Sequence, residues 1–562
     1  MTSIATSAQS RAPSAGERLR GPALALSSAI LMALSLPNEL FRFGFAPLGP
    51  LALVPLYIAL LDAPGLRGAA LLVSLFGAAQ HALSSYWLYF FKDFAFWTIG
   101  GTTLAYAVVY YVLGLYLGLF VQRSGRPRPL AFALLWAAFE YQKSVGFLGY
   151  PWGLLPYSLT DALPLLQVAD LTGVYGLSAA LALTNAAIAE LLAQPRAAAT
   201  LSAKAAVQGL RRALGPERMD ARSKAGWLGL AMAFAALVAG YGAWRLSTPI
   251  PEAGHFEALI VQQNIDPWYA GEEAALAANV RLARQALAKA PRAPDLVVFS
   301  ETSLRRPYAE FRDYFSTKPE GYALIPFIKD SGAPLLTGAP VVLDWETWAA
   351  SNSVLLIGPD ASLRGSYAKI HPVPFAEAIP LWEFAWFRTF MREAVGLESG
   401  WVMGTEYKVF DLQTRAGEIR FGTPICFEDA FPEVCSRFFE GGADLLVNLT
   451  NDSWSKTVSA EIQHWAAARF RSIEYRRTLL RSTNGGLSCV VGPYGELQAS
   501  LPLFEPAARI VDVPIYRSAG NTVYFRFGDW FALSCLLLSG LWAVILMAGE
   551  GFLSPAPKRR KP

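Results

Sequence analysis

The sequence predicts an α-helical membrane bundle, with about eight transmembrane helices, that carries an α/β domain outside the cytoplasm. Hydrophobic residues make up 53% of the 562 residues and charged residues only 16%. Long apolar stretches fill the first part of the chain and return once near its C-terminus. Between them lies a more polar segment in which short apolar runs alternate with helical patterns, which is typical of α/β domains.

Eight stretches are candidates for membrane spans, because a span needs roughly 17–25 mostly apolar residues. They cover residues 22–37, 47–61, 66–90, 98–121, 129–147, 163–193, 226–246 and 529–548. The first two are short and prolines interrupt them, so a single re-entrant pair is the alternative for these two. No signal-peptide cleavage pattern precedes the first stretch, so we expect a retained helix there.

Lysine and arginine residues predict the orientation, because short cytoplasmic loops are enriched in them. Basic residues cluster before the first span, around 123–128, in the 194–225 segment and in the C-terminal KRRKP. With eight spans, all four clusters fall on the same side, and both termini are cytoplasmic. We therefore expect a membrane domain with seven helices over 1–249, a periplasmic domain over 250–525, and an eighth helix with a basic tail over 526–562.

The remaining composition limits the function classes. Four cysteines are too few for a disulfide framework, and no Cys/His cluster has the spacing of a metal site. We expect neither a metal ion nor a cofactor. His371 and His464 are expected to be structural or polar-surface residues. A net charge of +4 is too small to suggest nucleic-acid binding.

The segment over 250–525 predicts a layered α/β domain with mixed sheets. Residues 351–359 and 362–370 predict a hairpin that turns at Pro359-Asp360. Helices are predicted over 274–290 and 460–476. Further strands are predicted over 256–265, 295–299, 334–340, 418–427, 444–450, 479–484 and 486–492.

Three chemically different side chains each follow a predicted strand. Glu301 lies in VVFSETS, Lys369 in YAKIHPVPFAE and Cys426 in TPICFEDAF. A thiolate can act as a nucleophile, a carboxylate can take its proton, and an ammonium group can stabilise an oxyanion. Taken singly, each has a plainer interpretation: a buried structural cysteine, a loop carboxylate, or a solvated lysine at a sheet edge. The residues alone leave both interpretations open.

The order of these motifs resembles that of a known superfamily. VVFSETS, YAKIHPVPFAE, TPICFEDAFPE, DLLVNLTNDSW and ARFRSIEYRRTLLRSTNGG follow one another over 256–515 as in the carbon–nitrogen hydrolase, or nitrilase, superfamily. Upstream, FRFGFAPLGPLALVPL, SSYWLYF and YPWGLLPYS are similar to motifs of the apolipoprotein N-acyltransferase family of the bacterial inner membrane. The resemblance covers essentially the full chain and implies a nitrilase-like α-β-β-α sandwich.

The resemblance also implies roles for individual residues. Glu301 matches the general base, Lys369 the oxyanion stabiliser and Cys426 the nucleophile of a Glu–Lys–Cys triad. Glu377 matches a second glutamate that the family holds beside the lysine, and Glu428 matches an acid two residues after the nucleophile.

Aromatic residues complete the expected site. Phe427 stands where these acyltransferases often carry tyrosine, so its backbone N–H is expected in the oxyanion hole without a neighbouring hydroxyl. Trp268 resembles an aromatic residue near the substrate entrance. The aromatic-rich segment 376–403, with Trp382 and Trp386, is expected to form a lid or membrane-dipping arm. An ordinary contact between the domain and the bundle is the alternative.

The implied activity is transfer of an acyl chain from a phospholipid, through a cysteine thioester, to an apolipoprotein. The acceptor is the α-amino group of the N-terminal diacylglyceryl-cysteine. The expected partners are these two lipid-embedded substrates, and the chain is expected to be a monomer. Two alternatives remain: a membrane-anchored amidase or nitrilase that acts on a soluble amide, and a non-catalytic lipoprotein-binding scaffold.

Overall fold

Apolar helices form the N-terminal part of the chain. The computed structural model describes residues 15–91, 96–193, 219–265, 270–395, 400–517 and 521–552. Trp268, most of the basic 194–225 segment and the basic tail lie outside these ranges. The helices of this part are α1 (Ala15–Ser35), α2 (Val54–Asp62), α3 (Gly65–Ser84), α4 (Thr102–Arg123), α5 (Arg128–Gln142), α6 (Leu163–Leu166), α7 (Ala169–Thr172), α8 (Val174–Leu192) and α9 (Ala221–Ser247).

Five helices within the described ranges are long and apolar enough to cross a membrane. They are Gly65–Ser84, Trp97–Arg123, Val174–Leu192, Ala221–Ser247 and Trp530–Ala548, and each overlaps a predicted span. The other three candidates form the shorter helices Leu19–Ser35, Ala46–Asp62 and Arg128–Gln142. Within the stretch over 163–193 the helix of membrane length is α8, because Gly173 with a φ of 63° separates it from α7. The number of spans and the domain limits stay predictions.

Small residues allow close packing of α3 against α4. A Cβ atom added at Gly114 would lie 2.6 Å from the Cα atom of Ala70, and one added at Gly118 would lie 2.6 Å from the Cβ atom of Ala69. Lipid tails are as apolar as the side chains of the helices, so no hydrophobic force drives helices together in a membrane. They associate instead through close van der Waals contacts of this kind. Close packing at these small residues therefore holds α3 against α4.

The C-terminal part is a sandwich of two mixed sheets. The first sheet has the order β12-β1-β2-β3-β4-β5 and the second has the order β11-β10-β9-β8-β7-β6. The strands are β1 (Gly254–Gln262), β2 (Leu296–Val298), β3 (Leu335–Asp344), β4 (Ala349–Ile357), β5 (Leu363–Ala368), β6 (Val409–Thr414), β7 (Gly417–Gly422), β8 (Leu445–Thr450), β9 (Leu479–Thr483), β10 (Cys489–Val491), β11 (Leu497–Ser500) and β12 (Ala507–Ile515).

Helices cover both outer faces of the sandwich. Strand β1 shows the two-residue period that makes this possible: Ile260 packs toward the second sheet, whereas Leu259 and Val261 pack in a separate cluster with the helices on the first. The helices of this part are α10 (Glu272–Leu287), α11 (Arg312–Thr317), α12 (Leu324–Ser331), α13 (Ala385–Phe390), α14 (Pro432–Glu440), α15 (Val458–Tyr475), α16 (Val523–Phe527) and α17 (Trp530–Phe552). The expected α-β-β-α sandwich is confirmed.

The strand predictions need two corrections. The strand expected over 418–427 ends at Gly422, and Pro424, which has no N–H to donate, follows closely. Cys426 therefore does not end a strand but begins a 3₁₀ helix, Cys426–Ala430. Strands β6, β11 and β12 were not predicted. The hairpin is confirmed, because β4 and β5 pair antiparallel across the turn at Pro359-Asp360.

Buried hydrogen bonds connect the sandwich with the bundle. Arg476, at the end of α15, donates to Asp170 (2.6 Å) and to the side chain of Gln167 (2.6 Å), and Arg245 of α9 lies 2.9 Å from Asp170. At the other end of α15, Gln463 donates to the carbonyl groups of Pro37, just after α1, and of Ser84, the last residue of α3. Helix α15 is therefore attached to the bundle near both ends.

Candidate active site

The structure brings Glu301, Lys369 and Cys426 together at one end of the sandwich. Glu301 lies in the turn after β2, and Lys369 directly follows β5. The Lys369 Nζ atom lies 3.9 Å from Glu301 Oε1, and the Cys426 thiol is close enough to both groups that each of them shifts its pKa. Glu301 and Lys369 are buried, and Cys426 is half-buried. A base, a cation and a thiol thus share one enclosed space.

Two amide groups orient the Glu301 carboxylate. The side chain of Asn352, on β4, donates to Oε1 at 2.8 Å, and the backbone N–H of Asn451 donates to Oε2 at 2.9 Å. Burial raises the pKa of Glu301, and the nearby Lys369 ammonium only partly opposes this rise. Glu301 is therefore held in place and is a stronger base than an exposed carboxylate.

Lys369 is a buried cation with close counter-charges. Its Nζ atom lies 2.8 Å from Glu377, which also accepts the backbone N–H of Val373 at 2.8 Å. Burial alone would lower the pKa of Lys369, but attraction to Glu377 and Glu301 outweighs it and raises the pKa. Lys369 is therefore an ammonium group in the site, as an oxyanion stabiliser must be.

Cys426 is a free thiol at a sharp turn. Its φ of 51° is rare for a residue with a side chain, and its carbonyl group accepts a hydrogen bond from Asn448 at 3.1 Å. Burial and the neighbouring Glu301 raise its pKa well above the usual value, although Lys369 lowers it. The resting group is therefore the thiol. All four cysteines lie in the described part of the chain and are free, so no disulfide engages Cys426.

Glu428 links the segment after Lys369 to the residue before Cys426. Its carboxylate is fully buried, and burial raises its pKa to about 7. The donors to it are the backbone N–H groups of Ile370, His371 and Ile425 and the Tyr367 hydroxyl, at 2.7–3.0 Å. Glu428 touches no reacting group, so the structure places it as a positioning residue beside the triad.

The Phe427 ring packs against the membrane bundle. It stacks on Trp152, from the connection between α5 and α6, with ring centroids 5.2 Å apart and an angle of 11° between the planes. Tyr150 stacks on the other side of Trp152 at 5.3 Å, and Phe431 lies 4.7 Å from Phe427. The residue after Cys426 thus packs on an aromatic stack of the bundle. The oxyanion role of its backbone N–H stays a prediction.

The aromatic segment after Glu377 leaves its rings largely exposed. Trp386, in α13, is 67% exposed, and Phe384 and Phe390 are about half exposed. Trp382 is half-buried, and the Arg392 guanidinium lies over its ring at 5.3 Å. Such exposed aromatics are typical of a surface that meets a partner or lipid. The lid role of this segment stays a prediction.

Three contributions to the site were missed from the sequence. Asn352 contacts both Glu301 and Glu377, and the Asn451 N–H holds Glu301. His464, expected as a structural or surface residue, is buried between Asp429 and Asp452. An amide between two serines at the start of the strand run SNSVLLI was the available signal for Asn352.

Comparisons with known proteins match both halves of the chain. The model of the apolipoprotein N-acyltransferase N-terminal domain matches residues 28–187, and the carbon-nitrogen hydrolase model matches residues 258–518. "Apolipoprotein N-acyltransferase 2" of Treponema denticola is 38% identical over 514 residues, which cover 91% of this chain and 94% of that protein. The protein of the same name in Treponema pallidum is 37% identical over 537 residues, with 91% and 92% covered. "Apolipoprotein N-acyltransferase" of Borreliella burgdorferi is 30% identical over 516 residues, with 90% and 92% covered.

Proposed function

The chain belongs to the apolipoprotein N-acyltransferase family, and from this membership we propose that it completes lipoprotein maturation by N-acylation. A phospholipid gives an acyl chain to Cys426 and leaves as a lysophospholipid. The α-amino group of the N-terminal diacylglyceryl-cysteine of an apolipoprotein then takes the chain from the thioester. The convergence of Glu301, Lys369 and Cys426 in one enclosed site, on a chain with membrane-length apolar helices, carries the proposal.

In the first half-reaction, Glu301 takes the proton of the Cys426 thiol as the sulfur attacks the ester carbonyl of the donor. A C–S bond forms, and the carbonyl π electrons move onto oxygen, where the Lys369 ammonium stabilises the negative charge. The intermediate collapses, the C–O ester bond breaks, and the leaving alkoxide takes the proton from Glu301. The products are an acyl-enzyme thioester and a lysophospholipid.

In the second half-reaction, the neutral α-amino group of the lipoprotein attacks the thioester carbonyl. Glu301 takes the proton of the attacking amine, and Lys369 again faces the oxyanion. The C–S bond then breaks, an amide bond remains, and the proton returns to the Cys426 sulfur. A thioester suits this step, because an amine attacks it more readily than the original ester.

The protonation states favour general-base catalysis over a preformed thiolate. Burial and Glu301 keep Cys426 as a thiol at rest, so attack requires that the proton be removed during the reaction. The raised pKa of Glu301 lies closer to the pKa of the Cys426 thiol than an ordinary carboxyl pKa would. Proton transfer from the thiol to Glu301 therefore costs less free energy. Free thiol at rest also limits reaction with other electrophiles.

The proposed location is the bacterial inner membrane, with both termini in the cytoplasm and the sandwich in the periplasm. The stack of Phe427 on Trp152 supports it, because it keeps the nucleophile close to the bundle that lipid substrates approach. A monomer is sufficient, since one chain supplies all three catalytic residues. In this arrangement, the exposed rings around Trp386 guide acyl chains toward the site.

Mass spectrometry of the purified chain tests the first half-reaction. Incubation with dipalmitoyl phosphatidylethanolamine alone is expected to add the mass of one palmitoyl group, mapped to Cys426 and removed by hydroxylamine. Cys426→Ala should gain no such mass. Cys435→Ala is the matched control, because Cys435 is free but fully buried, and it should acylate as the wild type does.

A synthetic peptide with an N-terminal diacylglyceryl-cysteine tests the second half-reaction. It should discharge the palmitoyl group and become N-palmitoylated, whereas the same peptide with an acetylated α-amino group should leave the thioester intact. If no phospholipid acylates Cys426, while the chain hydrolyses short soluble amides, the amidase alternative replaces the acyltransferase proposal.

A further inference from the structure

A buried charged cluster lies behind the 3₁₀ helix that begins at the nucleophile. His464, on α15, has its Nε2 atom 3.0 Å from Asp429 Oδ1 and its Nδ1 atom 3.0 Å from Asp452 Oδ2. Arg481, on β9, lies 3.2 Å from Asp429 and 3.9 Å from Asp452. All four residues are buried, and none of them is part of the triad.

The two aspartates belong to the two segments that carry the nucleophile and orient the base. Asp429 lies in the 3₁₀ helix that starts with Cys426. Asp452 follows Asn451, whose backbone N–H holds the Glu301 carboxylate. A bridge between the two aspartates therefore connects the thiol with the group that removes its proton.

The geometry favours a proton on both ring nitrogens of His464. Each nitrogen faces a carboxylate oxygen, and a neutral imidazole has only one N–H to donate. A neutral ring would therefore turn one lone pair toward a carboxylate. The imidazolium form satisfies both contacts as charge-assisted hydrogen bonds.

The charges of the surrounding groups favour the same form. An imidazolium and the Arg481 guanidinium balance the two aspartates, whereas a neutral ring would leave one buried negative charge without a partner. Glu461, on the same helix, also faces Asp452, but burial raises its pKa well above the usual value, so it adds no charge. Burial by itself lowers the pKa of His464, yet Asp452 and Asp429 raise it to about 9.

We propose that His464 is a positioning residue, an imidazolium bridge that fixes the distance between the Cys426 thiol and the Glu301 carboxylate. The Trp152 ring packs over it, with centroids 5.5 Å apart, so the bundle closes the remaining side of the bridge. The inference rests on the proposed function only in taking Cys426 as the nucleophile and Glu301 as its base. Loss of the bridge separates the two groups and slows proton removal.

Alkylation of Cys426 by iodoacetamide tests the bridge without any lipid substrate. In the full-length chain in detergent at pH 7.5, His464→Gln is expected to slow alkylation at least tenfold, with Cys426→Ala as the blank. The exposed His255 provides the matched control, and His255→Gln should alkylate at the wild-type rate. Because no phospholipid is present, failure of this test is separate from failure of acyl transfer.

A second variant separates bridging from packing. In His464→Gln with Asp452→Asn, the glutamine amide can donate to Asp429 and accept from the new asparagine, and the cluster is again neutral. This double variant is expected to alkylate at least threefold faster than His464→Gln alone. A double variant slower than the single one would overturn the proposal, as would a folded His464→Gln that alkylates within twofold of the wild type.

The pH dependence of single-turnover acylation completes the test. The imidazolium is present below its raised pKa and is lost as the pH rises through about 9. Wild-type acylation should therefore fall above about pH 9, and the double variant, which has no imidazole at this position, should lack that decline. The same decline in both proteins would overturn the proposal, even if His464→Gln alone failed to fold.

Discussion

Replacing Glu428 by glutamine is expected to slow acyl transfer although no reacting group is removed. The buried carboxylate holds together the segment after Lys369 and the residue before Cys426, through three backbone N–H groups and one hydroxyl. Glutamine has one acceptor oxygen, and its NH₂ group must face at least one of the backbone N–H donors. The variant therefore loses at least one hydrogen bond and gains a donor–donor conflict.

The size of the effect follows from these contacts. Oε2 accepts one backbone N–H, from Ile425, whereas Oε1 accepts two, from Ile370 and His371. The better orientation of the amide therefore sacrifices the Ile425 contact. Above its pKa of about 7 Glu428 is ionised, and a hydrogen bond to a charged group contributes about 1.5–3 kcal/mol. If losing the Ile425 hydrogen bond removes about 2–3 kcal/mol of transition-state stabilisation, kcat/KM falls about 30- to 150-fold.

The assay is N-acylation of a diacylglyceryl-cysteine peptide in mixed micelles, with kcat and KM measured separately. The decrease should lie in kcat, because Glu428 is fully buried and cannot contact a bound substrate directly. Glu440→Gln is the matched control, since Glu440 is exposed and pairs with Arg437 on the same surface helix, and its kinetics should not change. Tyr367→Phe removes the hydroxyl that donates to Glu428 and should lower kcat about threefold to tenfold. A folded Glu428→Gln within threefold of the wild type would refute the reasoning.

Three further perturbations probe the surroundings of the triad. Glu377→Gln removes a negative charge that raises the pKa of Glu301, so the acid limb of the pH profile of kcat/KM should move to lower pH, and an unmoved limb would contradict this. Trp152→Ala and Phe427→Ala should couple by about 0.5–1.5 kcal/mol in a double-mutant cycle on kcat, because their rings stack, whereas additive effects would argue against the stack. Trp386→Ser should leave the melting temperature unchanged but reduce acylation by vesicle-bound donor more than by a detergent-solubilised short-chain donor. Equal reduction with both donors would remove the case for a lipid-contacting arm.

The strands missed from the sequence share a position in the fold. Strands β6, β11 and β12 are all edge strands, and edges are partly exposed and carry polar residues or proline. Strand β12, for example, contains Asp512 and Pro514, which weaken its apolar pattern. Central strands such as β8, whose residues are all buried, were predicted nearly to the residue. Local pattern therefore reports burial and is least reliable at sheet edges. The edge strand β5 was nevertheless predicted, because the turn at Pro359-Asp360 marks its hairpin with β4.

The triad could be predicted because its members lie in motifs with a recognisable order. Glu377 and Glu428, which lie in the same motifs, were also predicted. The supports from Asn352 and Asn451 could not be predicted, because those contacts depend on long-range pairing. Asn352 reaches Glu301 across 51 positions, and the Asn451 N–H reaches it across 150. Nor does anything in the local sequence indicate that His464 lies between two aspartates, since the rings and carboxylates meet only after α15 packs on the second sheet.

The attachment of α15 at Gln463 and Arg476 has a consequence for how turnover is limited. These contacts hold the sandwich beside the bundle, so in the proposed reaction each lipid-anchored substrate arrives by lateral diffusion within the lipid layer, and each product departs into that same layer. The relevant quantity is then the surface mole fraction of donor and acceptor, not their concentration in the bulk phase. Dilution with inert lipid at constant total substrate should slow the enzyme, and accumulated lysophospholipid should compete for the same lateral route.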